Sequence, residues 1–329
     1  MTLKTQPAED KIQGMIWGQF VGDAAALGSH WIYDLDELDR LFPGGIQGFE
    51  PPRRNSRYHA GKAPGDFTHY GDGALVMLES VADCGGFDRA KFGQAFFQLV
   101  TSRHYPGYRD KATKQSADAW KQAVETAEDF DYQQGADDNE PATATRLAPI
   151  IALHGHEDRL DSIIEEAVRI VQDNEEAVAY NQLISNILKD ILDGADFLES
   201  INQVIHQARD SKSQVYQQAA AKLREARDRR DDDVREATGH FGRACPLPKS
   251  VPAAAQAVLK HQGDFVQTIR SILNAGGDNA ARAAIAGAWL GAEHGRQAIP
   301  DEWCHNLNEE TRIQAATERI IKSRRGAEV

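Results

Sequence analysis

Ala275-Gly-Gly-Asp278-Asn-Ala-Ala-Arg282-Ala-Ala-Ile-Ala-Gly-Ala-Trp289-Leu-Gly-Ala292 is the stretch on which the fold turns. Two glycines, a carboxylate and an amide precede a run of small residues. A polar loop is therefore expected at the start of a tightly packed helix, with Asp278 at the helix entrance. A second stretch has the same character. Gly14, Gly18, Gly22 and Ala26 recur every fourth position, while Ile12, Met15, Ile16 and Gln19/Phe20 share another stripe. Small residues at that spacing let helices approach closely, so this stretch reads as core packing from Ile12 onward.

Outward from these two stretches the helical period dominates. Leu160, Ile163, Ile164, Ala167, Val168 and Val171 follow it without a break. Leu183, Ile184, Ile187, Leu188, Ile191 and Leu192 repeat it, and Phe197, Leu198, Ile201, Val204, Ile205 and Ala208 continue it after Gly194. Tyr216 to Arg230 reads as an exposed helix ending in the charge cluster 227–233. Asp264 with Gln267 three residues on resembles a capping box opening the helix of Phe265, Ile269, Ile272 and Leu273. Strand alternation is almost absent. The expectation is one all-α domain over 1–329, with a core of about 10–300 and frayed ends at 1–9 and 323–329.

Composition narrows the function. A formal net charge of −13 argues against nucleic-acid or anionic-membrane binding. No apolar run approaches the ~18 residues that a membrane span needs. Cys84, Cys245 and Cys304 are far apart and lack metal-ligand spacing, which favours reduced thiols and a cytoplasmic protein. Between Pro43 and Gly73 glycine and proline are too dense for regular structure. That stretch carries Arg53, Arg54, Arg57, His59, Lys62, Asp66 and His69, as a loop lining a polar site would.

Three segments join acids to glycines: Gly22-Asp23 through His30 to Asp34, Gly65-Asp66-Phe-Thr68-His69-Tyr70-Gly71-Asp72-Gly73, and the opening stretch. Each adjoins a helix that is apolar or small on most faces, which draws its acid inward, where a carboxylate needs a partner or a metal. His30, Asp66, His69, Gly276, Gly277, Asn279 and Arg282 are candidate ligand contacts beside the acids Asp72 and Asp278. A mixed nitrogen and oxygen site of His30, His69, Asp72 and Asp278 would suit Zn²⁺, Mn²⁺ or Fe²⁺.

The order of these pieces resembles the ADP-ribosylglycohydrolase family from Ile12 to about Gly295. The matching pieces are Gly22-Asp23-Ala, Asp72 heading an Ala-Leu helix, Ala144-Thr-Arg146-Leu-Ala-Pro149, Ser250-Val-Pro252-Ala-Ala and Gly276-Gly-Asp278 before Ala-Ile-Ala-Gly-Ala. The wording at 30–34, 69–72 and 276–279 is most similar to the J-crystallin and selenoprotein-J-like branch. The resemblance implies a multi-helical fold, two Mg²⁺ ions, and hydrolysis of the bond joining ADP-ribose to a side chain; the ligand would be a small molecule or an ADP-ribosylated protein. It makes Asp72 and Asp278 the catalytic and metal-binding acids. It also exposes departures: Tyr70 and Gly71 stand with Asp72 at a Thr-Asp-Asp motif, Ala280 and Ala281 replace an Asp and a Thr, and His30 falls on a Glu position. The full Mg²⁺ cage is therefore not encoded. What remains is a hydrolase with an incomplete metal site, a pseudoenzyme or crystallin-like binder without cofactor, or a hydrolase of another ribosyl substrate using a single or different divalent metal.

Overall fold

The computed structural model describes residues 5–52, 58–126, 132 and 135–327, excluding the side chains of 5–8, 125–126 and 327. Sixteen α-helices run through them: α1 (Thr5–Ala26), α2 (Leu35–Leu41), α3 (His69–Cys84), α4 (Arg89–Thr101), α5 (Lys111–Thr126), α6 (Ala148–His154), α7 (Leu160–Val171), α8 (Glu175–Leu192), α9 (Phe197–Gln207), α10 (Gln214–Asp228), α11 (Val234–Phe241), α12 (Leu247–Lys260), α13 (Phe265–Asn274), α14 (Asn279–His294), α15 (Asp301–His305) and α16 (Glu310–Ala327). Among the described residues there is no strand, only the isolated bridges Ile32 to Gly277 and Ala136 to Gln172.

The glycine-spaced helices α1 and α14 pack on each other. A Cβ placed on Gly14, Gly18 or Gly22 would lie 2.2, 2.0 or 2.1 Å from the carbonyl oxygen of Gly291, Gly287 or Ala283. Successive contacts advance along α1 and retreat along α14, so the two helices are antiparallel. Backbone meets backbone at each crossing turn, and no side chain larger than hydrogen fits. The C-terminal end of α1 is thereby set beside Asp278 at the head of α14. Around this pair, α8, α12 and α13 cover α14, while α3, α6 and α16 cover α1.

The stripes of α7 and α8 face the core as their period requires, with Leu192 only partly buried. Three expectations are corrected. Leu198 in α9 is exposed. The stretch read as an exposed helix, α10, buries Ala219, Ala220, Leu223 and Ala226, because alanines let it lie close to α8, α9 and α12. The Gly- and Pro-rich stretch is not irregular to its end: His69 to Gly73 form the first turns of α3. Thr68 caps that helix, its Oγ1 accepting the Tyr70 N–H at 3.2 Å. Among the described residues the first helix begins at Thr5 and the last ends at Ala327. Asp264 caps α13 as expected, accepting the Gln267 N–H at 2.9 Å. Arg53, Arg54 and Arg57 lie outside the described residues.

Candidate active site

Three chain ends converge where the two central helices open. The Gly276-Gly277 turn has φ of +72° at both residues, a region that side chains disfavour. It is held to the loop after α1 by two bonds: Trp31 N–H donates to Gly277 O at 2.9 Å, and Gly277 N–H to Ile32 O at 2.7 Å. The head of α3 is fixed from α1 by Asp23, which accepts the Thr68 N–H at 2.8 Å and the Thr68 hydroxyl at 2.5 Å. A side chain at Gly71 would strike Asp23 Oδ2, so glycine there is a packing requirement. Burial pushes the Asp23 carboxyl up to about 7.

Asp278 is fully buried at this junction. Its Oδ2 accepts the Tyr70 hydroxyl at 3.0 Å, its Oδ1 accepts the Ala281 N–H at 3.4 Å as the cap of α14, and His30 Nδ1 stands 3.5 Å from Oδ1. Burial raises the carboxyl above its usual range, while Arg282, Cys245 and Tyr70 pull it back. Cys245 is half-buried against Asp278 and lies 3.8 Å from the Tyr33 hydroxyl. Burial and that carboxylate push the thiol far up, so Cys245 is a thiol donor rather than a nucleophile.

Above this floor stands a set of rings. Trp31, itself at φ +66°, stacks on His30 with centroids 4.2 Å apart, and Tyr58 and Tyr108 meet it edge-on at 5.0 and 4.9 Å. The floor of His30, His59, His69, Tyr70 and Asp278 is buried, whereas Trp31, Tyr58, Tyr108, Glu140 and Cys245 are partly exposed and Tyr33 is exposed. His30 is held well below its usual value by burial and by His59 and His69; His59 is pushed down to about 3, mainly by burial. Both rings are neutral at physiological pH.

Glu140 lies on the 135–143 loop, whose backbone is pinned by Gln172 Nε2 to Glu140 O at 2.5 Å. Its carboxylate has no hydrogen-bond partner among the described residues. Burial, then the acids Asp138, Asp110 and Asp278, push it up to about 7. Asp110 goes the other way: burial opposes its charge, but His69 Nε2 at 3.4 Å and the Thr113 N–H at 2.6 Å outweigh this and hold it at about 2. Burial thus acts on both acids alike, and the donors at Asp110 set the two apart. Arg146 is buried beneath the same loop with its guanidinium over the Phe96 ring at 4.7 Å. Its Nε and Nη1 have no hydrogen-bond partner among the described residues.

Asp72 faces another way. Lys62 Nζ straddles its two oxygens at 2.9 and 2.7 Å, and the Tyr105 hydroxyl donates to Oδ2 at 2.9 Å. These residues, with Asp66 and Arg312, border a cavity of about 280 Å³. A larger groove of about 880 Å³ lies away from the acids, against α8 and α10.

The residues singled out from sequence thus separate into groups. Asp278 and His30 meet, and His69 pairs with Asp110 instead. Asp66 accepts Ala63 N–H and Asn308 Nδ2, both at 2.7 Å, as a loop staple. The Gly276 and Gly277 amides are spent on Leu273 O and Ile32 O. Asn279 donates to Ser29 Oγ at 2.8 Å, and Arg282 Nη2 to Gly276 O, both fully buried. No three His, Cys, Asp or Glu side chains among the described residues group as metal ligands, so the mixed site of His30, His69, Asp72 and Asp278 is not assembled. Nor do these residues make a Mg²⁺ cage: each oxygen of Asp72 and Asp278 already accepts a protein donor, and Ala280 and Ala281 offer none. Sequence reasoning missed Trp31, Tyr33, Asp110 and Glu140; the acid-rich Asp137-Asp138-Asn-Glu140 before a Pro was the available signal.

The sequence profile of the ADP-ribosylglycohydrolase family matches residues 4–328. The chain belongs to the ADP-ribosylglycohydrolase family. It is similar to Crystallin J1A of Tripedalia cystophora, 27% identical with 97% of this chain and 99% of the relative covered, and to Crystallin J1B of the same organism, 27% identical over 92% and 93%. An uncharacterized protein of Archaeoglobus fulgidus is 24% identical over 92% of each chain. Among solved structures, an ADP-ribosylglycohydrolase-related protein complex superposes with a TM-score of 0.72 at 20% identity, covering 97% of this chain and 99% of that one. The ADP-ribosylglycohydrolase fold expected from the motifs is therefore the fold observed. No described helix is long and apolar enough to cross a membrane.

Proposed function

We propose that this chain binds an ADP-ribosyl or related ribosyl ligand among the rings near Asp278 and hydrolyses its glycosidic bond there. The observation that carries this reading is the pairing of partly exposed rings, Trp31, Tyr58 and Tyr108, with a buried carboxylate and a half-buried Glu140 held near neutrality. Rings suit a purine, and carboxylates suit ribose hydroxyls. A carboxyl at about 7 can give and take a proton at working pH. In this reading Asp278, one of the two acids expected to be catalytic, orients the ribose or the attacking water through Tyr70 and Cys245. Water adds to the anomeric carbon, the glycosidic bond breaks, and its proton passes by way of Glu140 to the leaving group. Asp72 supports the neighbouring loop. We place the protein in the cytoplasm, in keeping with its three unpaired cysteines.

A second reading is a ligand-binding or structural protein without turnover. It is favoured by Asp278, whose two oxygens are occupied by a tyrosine and a helix cap, and by relatives that are themselves named crystallins. Incubation with ADP-ribosyl-arginine and ADP-ribosyl-serine peptides, followed by mass spectrometry, separates the two. Release of ADP-ribose that falls at least ~100-fold in Glu140→Gln supports the hydrolase. Peptides left intact by a protein that binds ADP-ribose support the second reading.

A further inference from the structure

We infer that the ammonium of Lys62 is the resident cation of the Asp72 site and stands where a divalent metal would otherwise bind. Mg²⁺ approaches carboxylate oxygens at about 2.0–2.1 Å and keeps several waters, so it needs at least one oxygen lone pair facing open space. Lys62 Nζ instead lies 2.9 Å from Oδ1 and 2.7 Å from Oδ2, along the line that a bidentate ion would take, and Tyr105 adds a third donor at 2.9 Å from Oδ2.

The pair is built in, not casual. The side chains of Lys62 and Asp72 are 8% and 17% exposed. Lys62 is delivered by a turn in which its own N–H bonds to His59 O at 3.1 Å. Tyr105 reaches Asp72 only because Gly107 leaves room: a Cβ there would fall 2.1 Å from the tyrosine hydroxyl. One residue beyond Asp72, Gly73 takes the Arg146 guanidinium, 3.1 Å from where a Cβ would stand. Gly73 thus leaves room for a buried guanidinium and brings no oxygen ligand of its own. A dication entering here would meet Lys62 at contact distance in a low-dielectric pocket, where like charges repel strongly. The tethered monovalent cation wins because it is already held at the carboxylate and sheds less hydration than the reluctantly dehydrated Mg²⁺.

This inference concerns the cation and is independent of which ribosyl ligand the rings take, so its test reads metal and stability. Elemental analysis and thermal unfolding of the full chain are measured in EDTA and in millimolar MgCl₂ or MnCl₂, for the wild type, Lys62→Met, Lys62→Arg, Asp72→Asn and Asp72→Asn/Lys62→Met. The wild type and Lys62→Arg are expected to carry no stoichiometric metal and to show the same Tm in every buffer. Lys62→Met is expected to lose about 5 °C or more and to regain part of it with Mg²⁺ or Mn²⁺, since an unpaired buried carboxylate now needs a cation. The double variant should lose less and not respond. A wild-type Tm that falls in EDTA, or stoichiometric metal in the wild type that Asp72→Asn removes, would overturn the inference, as would a Lys62→Met protein that folds and ignores both ions. Should Lys62→Met not fold, the wild type against Asp72→Asn decides it alone.

Discussion

At the scale of single residues, the chemistry of the site is a sorting of acids by their surroundings. Glu140 rests at about 7 in the fold, against an ordinary 4.5. Between those values the native state keeps a proton that the unfolded chain has lost. Its contribution to stability is therefore complete below pH 4.5 and is lost as pH rises through 7. Asp23, also near 7, acts with the same sign. We predict that Glu140→Gln flattens the fall of unfolding free energy between pH 4.5 and 7, by at most about 1 kcal/mol because the group is partly open to solvent. Chemical denaturation across that range checks it; an unchanged slope would place the Glu140 carboxyl in ordinary solvent. At this scale the sequence was half legible. Asp72 and Asp278 stood out because glycines and apolar helices surround them. Their partners did not, since Tyr70 meets Asp278 across 208 positions and Tyr105 meets Asp72 across 33.

At the scale of elements, the antiparallel crossing of α1 and α14 sets where Asp278, Asp23 and the head of α3 sit. We predict that Gly18→Ala, whose Cβ would stand 2.0 Å from Gly287 O, destabilises the chain by about 3 kcal/mol or more, since rigid backbone cannot yield. Gly194→Ala is the control. Gly194 has φ of +114° and open space around it, so only the backbone conformation resists, at about 1–2 kcal/mol. Equal losses in the two variants, measured by urea unfolding, would remove the close crossing as the organising contact. The period of small residues announced both helices. It did not say that they meet each other, because a glycine stripe shows the need for a close neighbour without naming it. The alanine face of α10 hid its burial for a related reason, alanine being neutral between surface and core.

At the scale of the molecule, motif order matched the fold, since five short pieces fix where the helices must start. The reaction was less legible: it depends on what each acid touches, and those contacts come from loops. The family match and the crystallin relatives establish descent. The rings and acids above Asp278 carry the proposal of a ribosyl ligand. The most direct measurement is calorimetric titration of ADP-ribose into the full chain, once in EDTA and once in millimolar Mg²⁺. We predict one binding site per chain with the same affinity in both, weakened at least ~10-fold by Trp31→Ala, which takes away the central ring. Absence of binding in both buffers would contradict the ribosyl-ligand reading, and binding that appears only with Mg²⁺ would contradict a site that holds its ligand without a metal.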